Sequence, residues 1–344
     1  MKRGRHPLVL ATIALSLSAC GPIPISASGA GQAHGGSLAW KPPTLKDPIT
    51  ITLCNCNVQD DEIIVSLRQG QDYILKDPVT LDHSVVIEGG HNVVWIGGHV
   101  RPSVFGMGVQ LGAGAGFGGG TIHLEGLYLD GIDGHLNDGI VGGEWNSLSQ
   151  PEGKRADAIL EVENVRIDGL AGDSSVEHQD CIQQYGGWKE LRVDHLTCQT
   201  LYQGFYLPWE DDSVSGILSR WDLRNANLRD GPNATGTGMQ TLLHFGDMGP
   251  AVFSRVSHRQ IGSLSNVYLH ATQKSLDQET YPNSGTASAS IDGTVVHSTV
   301  NSDGTISWSQ TWAVSGFVSP GDPPGGDFVP LGVAGLGYLS PGYR

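Results

Sequence analysis

One apolar pattern recurs along this chain: two apolar residues separated by one, a gap of two, then another such pair. It appears as Ile122, Leu124, Leu127 and Leu129, and again as Leu160, Val162, Val165 and Ile167. It returns as Leu191, Val193, Leu196 and Cys198, then as Trp221, Leu223, Ala226 and Leu228. A looser copy uses Leu264, Val267 and Leu269. Alternation within each pair has the period of a strand, not of a helix. The two-residue gap breaks that alternation once, as a bend between two short strands would. Gly126, Asn164, Asn225 and Asn266 stand at the gap, and Gly and Asn tolerate the positive φ a tight bend demands.

The first four copies start 38, 31 and 30 residues apart, which leaves room for loops of varying size. A second, shorter element accompanies them: DGIV at 138, DCIQ at 180, QGFY at 203 and QTLL at 240. Units that cannot bury their apolar side alone must stack, so the pattern predicts a solenoid whose turns share one core. The copies are too short and uneven for propeller blades, and the code of a leucine-rich repeat is absent. With 49 Gly and 18 Pro, helical signals are poor throughout.

These segments resemble the right-handed parallel β-helix of the pectin-lyase-like superfamily over roughly residues 60–275. VVIEGGHNVVWIGGHV at 85–100 resembles the first coils of such proteins. The resemblance implies an all-β architecture over 46–275, with 46–84 as N-terminal cap and lead-in. Residues 276–344 form C-terminal strands and an extended Gly/Pro-rich tail that packs on the body, because Phe328, Val329, Leu331, Leu336, Tyr338 and Tyr343 are too apolar for a disordered tail. The resemblance specifies architecture more than activity. The paired-aspartate and Gly-His-Gly strings of polygalacturonases are missing. RVDHLTC at 192–198 is similar to a pectate lyase strand but lacks the lyase arginine motif.

The chain opens with Lys2, Arg3 and Arg5, then an apolar run from Leu8 to Leu17, too short to span a bilayer. Leu17-Ser18-Ala19-Cys20 resembles a bacterial lipobox. It implies a signal peptide over 1–19, cleavage before Cys20, and lipidation of its sulfur. Residues 20–45, rich in Gly, Ser, Ala and Pro, then form a tether. The expected location is the cell envelope, held to a membrane by acyl chains. Formal net charge is −15; removing a leader with three cations and no acid takes it to −18. That balance excludes nucleic acid as a partner. A polysaccharide remains open, since a local cationic strip can sit on an acidic protein.

The chemistry-bearing stretch is Glu177-His178-Gln179-Asp180-Cys181-Ile182-Gln183, followed by Tyr185, Trp188 and Lys189. An imidazole and a carboxylate close together can share proton transfer, which makes His178, Asp180 and Lys189 the candidate catalytic residues. Gln183, Tyr185, Trp188 and Trp209 are candidate sugar contacts, the aromatic faces by stacking. Arg192 and Arg220 form a candidate strip for uronate carboxylates. Against this, such Asp and His side chains often bond backbone of the next coil, and Glu190, Asp194 and Asp222 stand ready to pair with the arginines. Asp130, Asp133, His135, Asp138 and Glu144 crowd one coil; they suit glycoside hydrolysis or Ca²⁺, without EF-hand spacing. No cofactor or metal is assigned. Cys54-Asn55-Cys56 is a weak metal signal. Among Cys54, Cys56, Cys181 and Cys198 three disulfide pairings are open; with Ile182 inward, Cys181 points outward and Cys198 inward, which disfavours joining those two. The expected function is contact with extracellular polysaccharide, as a lyase or glycoside hydrolase, or as a non-catalytic glycan-binding or envelope protein.

Overall fold

A computed structural model describes residues 37–112, 119–142, 158–170, 179–184, 188–207, 220–231, 241–245, 261–272, 274–281, 289–291, 294–311 and 314–343. The described chain is all-β, apart from a 3₁₀ turn at Leu276–Glu279. Two long sheets dominate. The longer runs through Ile49–Thr52, Tyr73–Lys76, Val93–Val100, Thr121–Asp130, Ile159–Asp168, Glu190–Thr200, Arg220–Asp230 and Ile261–His270, all paired parallel. The other runs through Glu62–Leu67, Ser84–Gly89, Val109–Leu111, Ile140–Gly142, Asp180–Gln184, Gln203–Leu207, Leu243–Phe245 and Thr280–Tyr281, also parallel. From Glu62 onward the chain visits the two sheets alternately, and each return lands beside the previous visit. This topology is compatible with a β-helix or solenoid. Antiparallel strands close the longer sheet at its late end, with Phe317–Pro320, Ile306–Trp308 and Ser298–Val300 in order.

The repeat copies lie in register. Ile122 stands opposite Leu160, Leu160 opposite Leu191, and Leu191 opposite Trp221. All sixteen apolar residues of the first four copies are at most 1% exposed and join one apolar core. Burying a side chain of this size contributes about 1.5–3 kcal/mol, so the columns are the chief source of cohesion. At the bend, φ is +68° at Gly126, +55° at Asn164, +46° at Asn225 and +59° at Asn266. His195 fills the same place in the third copy with φ +52°, although neither Gly nor Asn.

Two sequence expectations are corrected. Cys181 and Cys198 are joined by a disulfide. Strict alternation outward from Ile182 fails here, because Cys181 and Ile182 are both 0% exposed members of the core. The neighbouring passes give the reason. A Cβ on Gly139 would lie 2.7 Å from Ile167 Cδ1, and one on Gly204 would lie 2.8 Å from Leu228 Cδ1. A large residue on the longer sheet thus faces a glycine on the other, and in one pass two cysteines share that volume instead. The other correction concerns register. Phe205 stands opposite Leu243, so the fourth short element is TLLH at 241, one residue later than QTLL. Cys54 and Cys56 are also bonded to each other.

Candidate functional site

Asp180 opens the strand Asp180–Gln184 and Asp138 lies two residues before Ile140–Gly142, in the pass before. The two passes are stitched together at this point. Gly139 N–H donates to Asp180 O at 2.9 Å, and Asp180 N–H donates to Asp138 Oδ1 at 2.8 Å. Asp138 Oδ2 accepts from Asn137 Nδ2 at 3.3 Å. Asp138 therefore bonds the backbone of the next pass, as a turn carboxylate commonly does. Asp180 does not repeat the arrangement. The next N–H in line, that of Gln203, donates to Gln179 O instead. The Asp180 carboxyl is fully buried, and neither of its oxygens has a hydrogen-bond partner among the described residues. Burial first, and the Asp138 charge second, raise its pKa well above the usual carboxylate range. A carboxylic acid held neutral in this way can donate a proton. Burial raises the Tyr202 phenol pKa, and Asp180, once ionised, would raise it further.

Of the other candidates, Gln183 is 3% exposed beside Val141 and Tyr206. Trp188 is 2% exposed and part of the apolar core. It sits with Gln184 over Gly142, where a Cβ would collide with both, so its ring is a core element and not an open stacking face. Lys189 is exposed, and its N–H donates to Ala158 O at 2.9 Å. Asp180, Gln183 and Trp188 are thus brought to one strand and the residues after it. His178, Tyr185, Trp209, Glu144 and Cys20 lie outside the described residues, as does the whole of 1–19.

The arginines are committed to acids of their own sheet. Arg192 donates to Glu161 at 2.7 Å and to Glu190 at 2.9 Å. Arg224 holds Asp222 with two donors, and Arg220, the most open, lies 3.6 Å from Glu190. Asp130 and Asp133 are gathered by Arg101 and do not join Asp138. Among the described residues no group of three or more His, Cys, Asp or Glu stands where it could hold a metal ion. No helix among them is long and apolar enough to cross a membrane.

A second polar cluster was missed by the sequence reading. On the longer sheet's face away from the core, His123 lies 3.0 Å from Glu161 and 2.9 Å from Glu125, all three buried. Burial opposes the imidazolium charge, yet the two carboxylates outweigh it and raise the His123 pKa to about 9. Beside it, Glu163 accepts the N–H groups of Ala39 and Trp40 at 2.9 and 3.1 Å, and burial raises its pKa to about 7. Two distant segments roof this cluster. Trp40 lies under Arg224, 4.8 Å from ring centre to guanidinium. From the other end, Tyr338 donates to Glu125, Gly335 N–H donates to Gly126 O, and Tyr343 donates to Pro43 O. The only sequence signal was alternation itself, which puts His123, Glu125, Glu161 and Glu163 on one face at facing positions.

No family model matches this sequence, and neither a curated protein nor a solved structure is detectably similar to it.

Proposed function

We propose that this chain is an exported protein, lipid-anchored at Cys20, whose body is a right-handed parallel β-helix that contacts extracellular polysaccharide and hydrolyses it, with Asp180 as the proton donor in a state that opens this strand to the glycan. One observation carries the catalytic part: a fully buried carboxyl with no hydrogen-bond partner among the described residues, set beside a second carboxyl in the adjacent pass. Leaving such a group unpaired costs about 1–3 kcal/mol or more, a cost that function can justify. A lyase would instead need free cations to neutralise a uronate, and Arg192 and Arg224 already spend theirs on Glu161, Glu190 and Asp222.

A panel of neutral and acidic glycans tests this reading. Hydrolysis releases reducing ends without products absorbing in the ultraviolet. Asp180→Asn should lower turnover by about 10²–10⁴-fold, with binding and melting temperature kept. Unsaturated products would overturn the hydrolase in favour of a lyase. A second reading, a non-catalytic glycan-binding envelope protein, is favoured by the closure of Asp180 and Trp188 to solvent. Binding with no product from any glycan would establish it. For the anchor, Cys20→Ser should move the protein from the membrane fraction to the soluble one; retention in the membrane would exclude a lipid attached there.

A further inference from the structure

The two disulfides are held in opposite ways. Cys181–Cys198 lies in the core, with both residues 0% exposed, and links positions 17 apart. Cys54–Cys56 links positions two apart, with Cys54 half-buried and both Asn55 and Cys56 exposed. A crosslink this short removes little freedom from the unfolded chain. Nor does the turn need it for shape. Leu53 N–H donates to Lys76 O at 2.7 Å. Asn55, between the two cysteines, donates from Nδ2 to Thr80 O at 3.1 Å and accepts Asp82 N–H at 3.0 Å. These bonds pin the turn from both sides, so the two sulfurs stay neighbours when the bond between them is open. Exposed disulfides of this kind are the labile ones, whereas buried structural ones resist reduction.

We propose that Cys54–Cys56 is a thiol–disulfide exchange site that accepts electrons from small thiols. A thiolate attacks Sγ of Cys56, the more exposed of the two residues. The S–S bond breaks, and Cys54 leaves as a thiolate that takes a proton from solvent. A second thiolate attacks the mixed disulfide, which releases a small-molecule disulfide and the Cys56 thiolate. Two thiols have become one disulfide, and two electrons have reduced the protein to a dithiol. Oxidants of the exported environment, a small-molecule disulfide among them, reverse the sequence. Asn55 is the positioning residue that keeps the dithiol ready to close.

The test uses the full oxidised protein in glutathione buffers of rising reducing power, followed by alkylation and peptide mass mapping under native conditions. Cys54 and Cys56 should take up two alkyl groups at a poise at least about tenfold less reducing than the one that opens Cys181–Cys198. The single variant Cys54→Ser should trap glutathione on Cys56. The double variant Cys54→Ser/Cys56→Ser should melt with the parent and show no exchange. Simultaneous opening of both disulfides, or a melting temperature several degrees lower in the double variant, would make Cys54–Cys56 a structural staple and overturn the proposal.

Discussion

The Tyr338 hydroxyl donates to Glu125 Oε1 at 2.7 Å, across 213 positions of sequence. Its ring lies on Gly126, where any Cβ would collide with it. The phenol is buried, and so is the carboxylate it serves.

Removing that hydroxyl leaves a buried carboxylate oxygen short of a donor. Tyr338→Phe should therefore cost about 1.5–3 kcal/mol, the range for hydrogen bonds to charged groups. Gly126→Ala should cost more, since it adds a collision with Tyr338 to the strain of a positive φ. Chemical denaturation measures both. Equal stability of Tyr338→Phe and parent would show that the tail contributes nothing at this point.

The roofed cluster makes stability fall with rising pH. The folded-state pKa of Glu163 is raised to about 7, so its contribution is complete below its ordinary value and is lost as pH rises through 7. That of His123 is raised to about 9, so its contribution is complete below about 6.5 and is lost as pH rises through 9. Protection of the Ala39, Trp40 and Gly335 amides, the ratio of intrinsic to observed hydrogen-exchange rate, should fall in two steps across these windows. Glu163→Gln should abolish the earlier step. Protection that stays constant from pH 6 to pH 10 would show that neither group titrates in the folded state.

Where its neighbours pair glycine with a large residue, one pass uses a disulfide. Cys181→Gly/Cys198→Leu should then fold, because it copies Gly204 and Leu228 one pass on. It should be less stable by up to the few kcal/mol the crosslink contributes. Cys198→Leu alone should be worse than the pair, because the introduced leucine would meet the Cys181 side chain where its counterparts in the neighbouring passes meet hydrogen. Thermal melts rank the three. A single variant as stable as the double one would refute the shared-volume account.

Core columns set the largest effects. Leu160→Ala removes a fully buried side chain between Ile122 and Leu191 and should cost about 2–5 kcal/mol. Ile132→Ala, at 70% exposure, should change stability by less than about 0.5 kcal/mol.

The strand pairs and their bend were legible because both follow from local rules. Alternation set Leu124 and Leu127 inward, and Asn164 and Asn225 marked the left-handed residue. Local rules failed where volume is shared between sheets. The aligned short elements put Gly139, Cys181 and Gly204 at one position, but nothing in them shows that the space beside it is filled from the other sheet. The candidate site was legible as a cluster of residue types, but not in its burial: Trp188 reads as an open aromatic and lies inside. The cluster under the tail was not legible, since no sequence pattern pairs Glu125 with Tyr338 or Glu163 with Trp40.

The tail bonded across the longer sheet amounts to a gauge of its width. Asp327 holds Arg166, Asn227 and Arg229, Val329 meets Thr197, Gly335 meets Gly126, and Tyr338 meets Glu125. Four successive strands are thereby counted off by a dozen residues of fixed length. A gene duplication that added one more turn between Thr121 and Asp230 would push the two docking points about 4.8 Å further apart, and the tail could no longer satisfy both. The tail, more than the repeat beneath it, limits how many strands can lie between its two docking points.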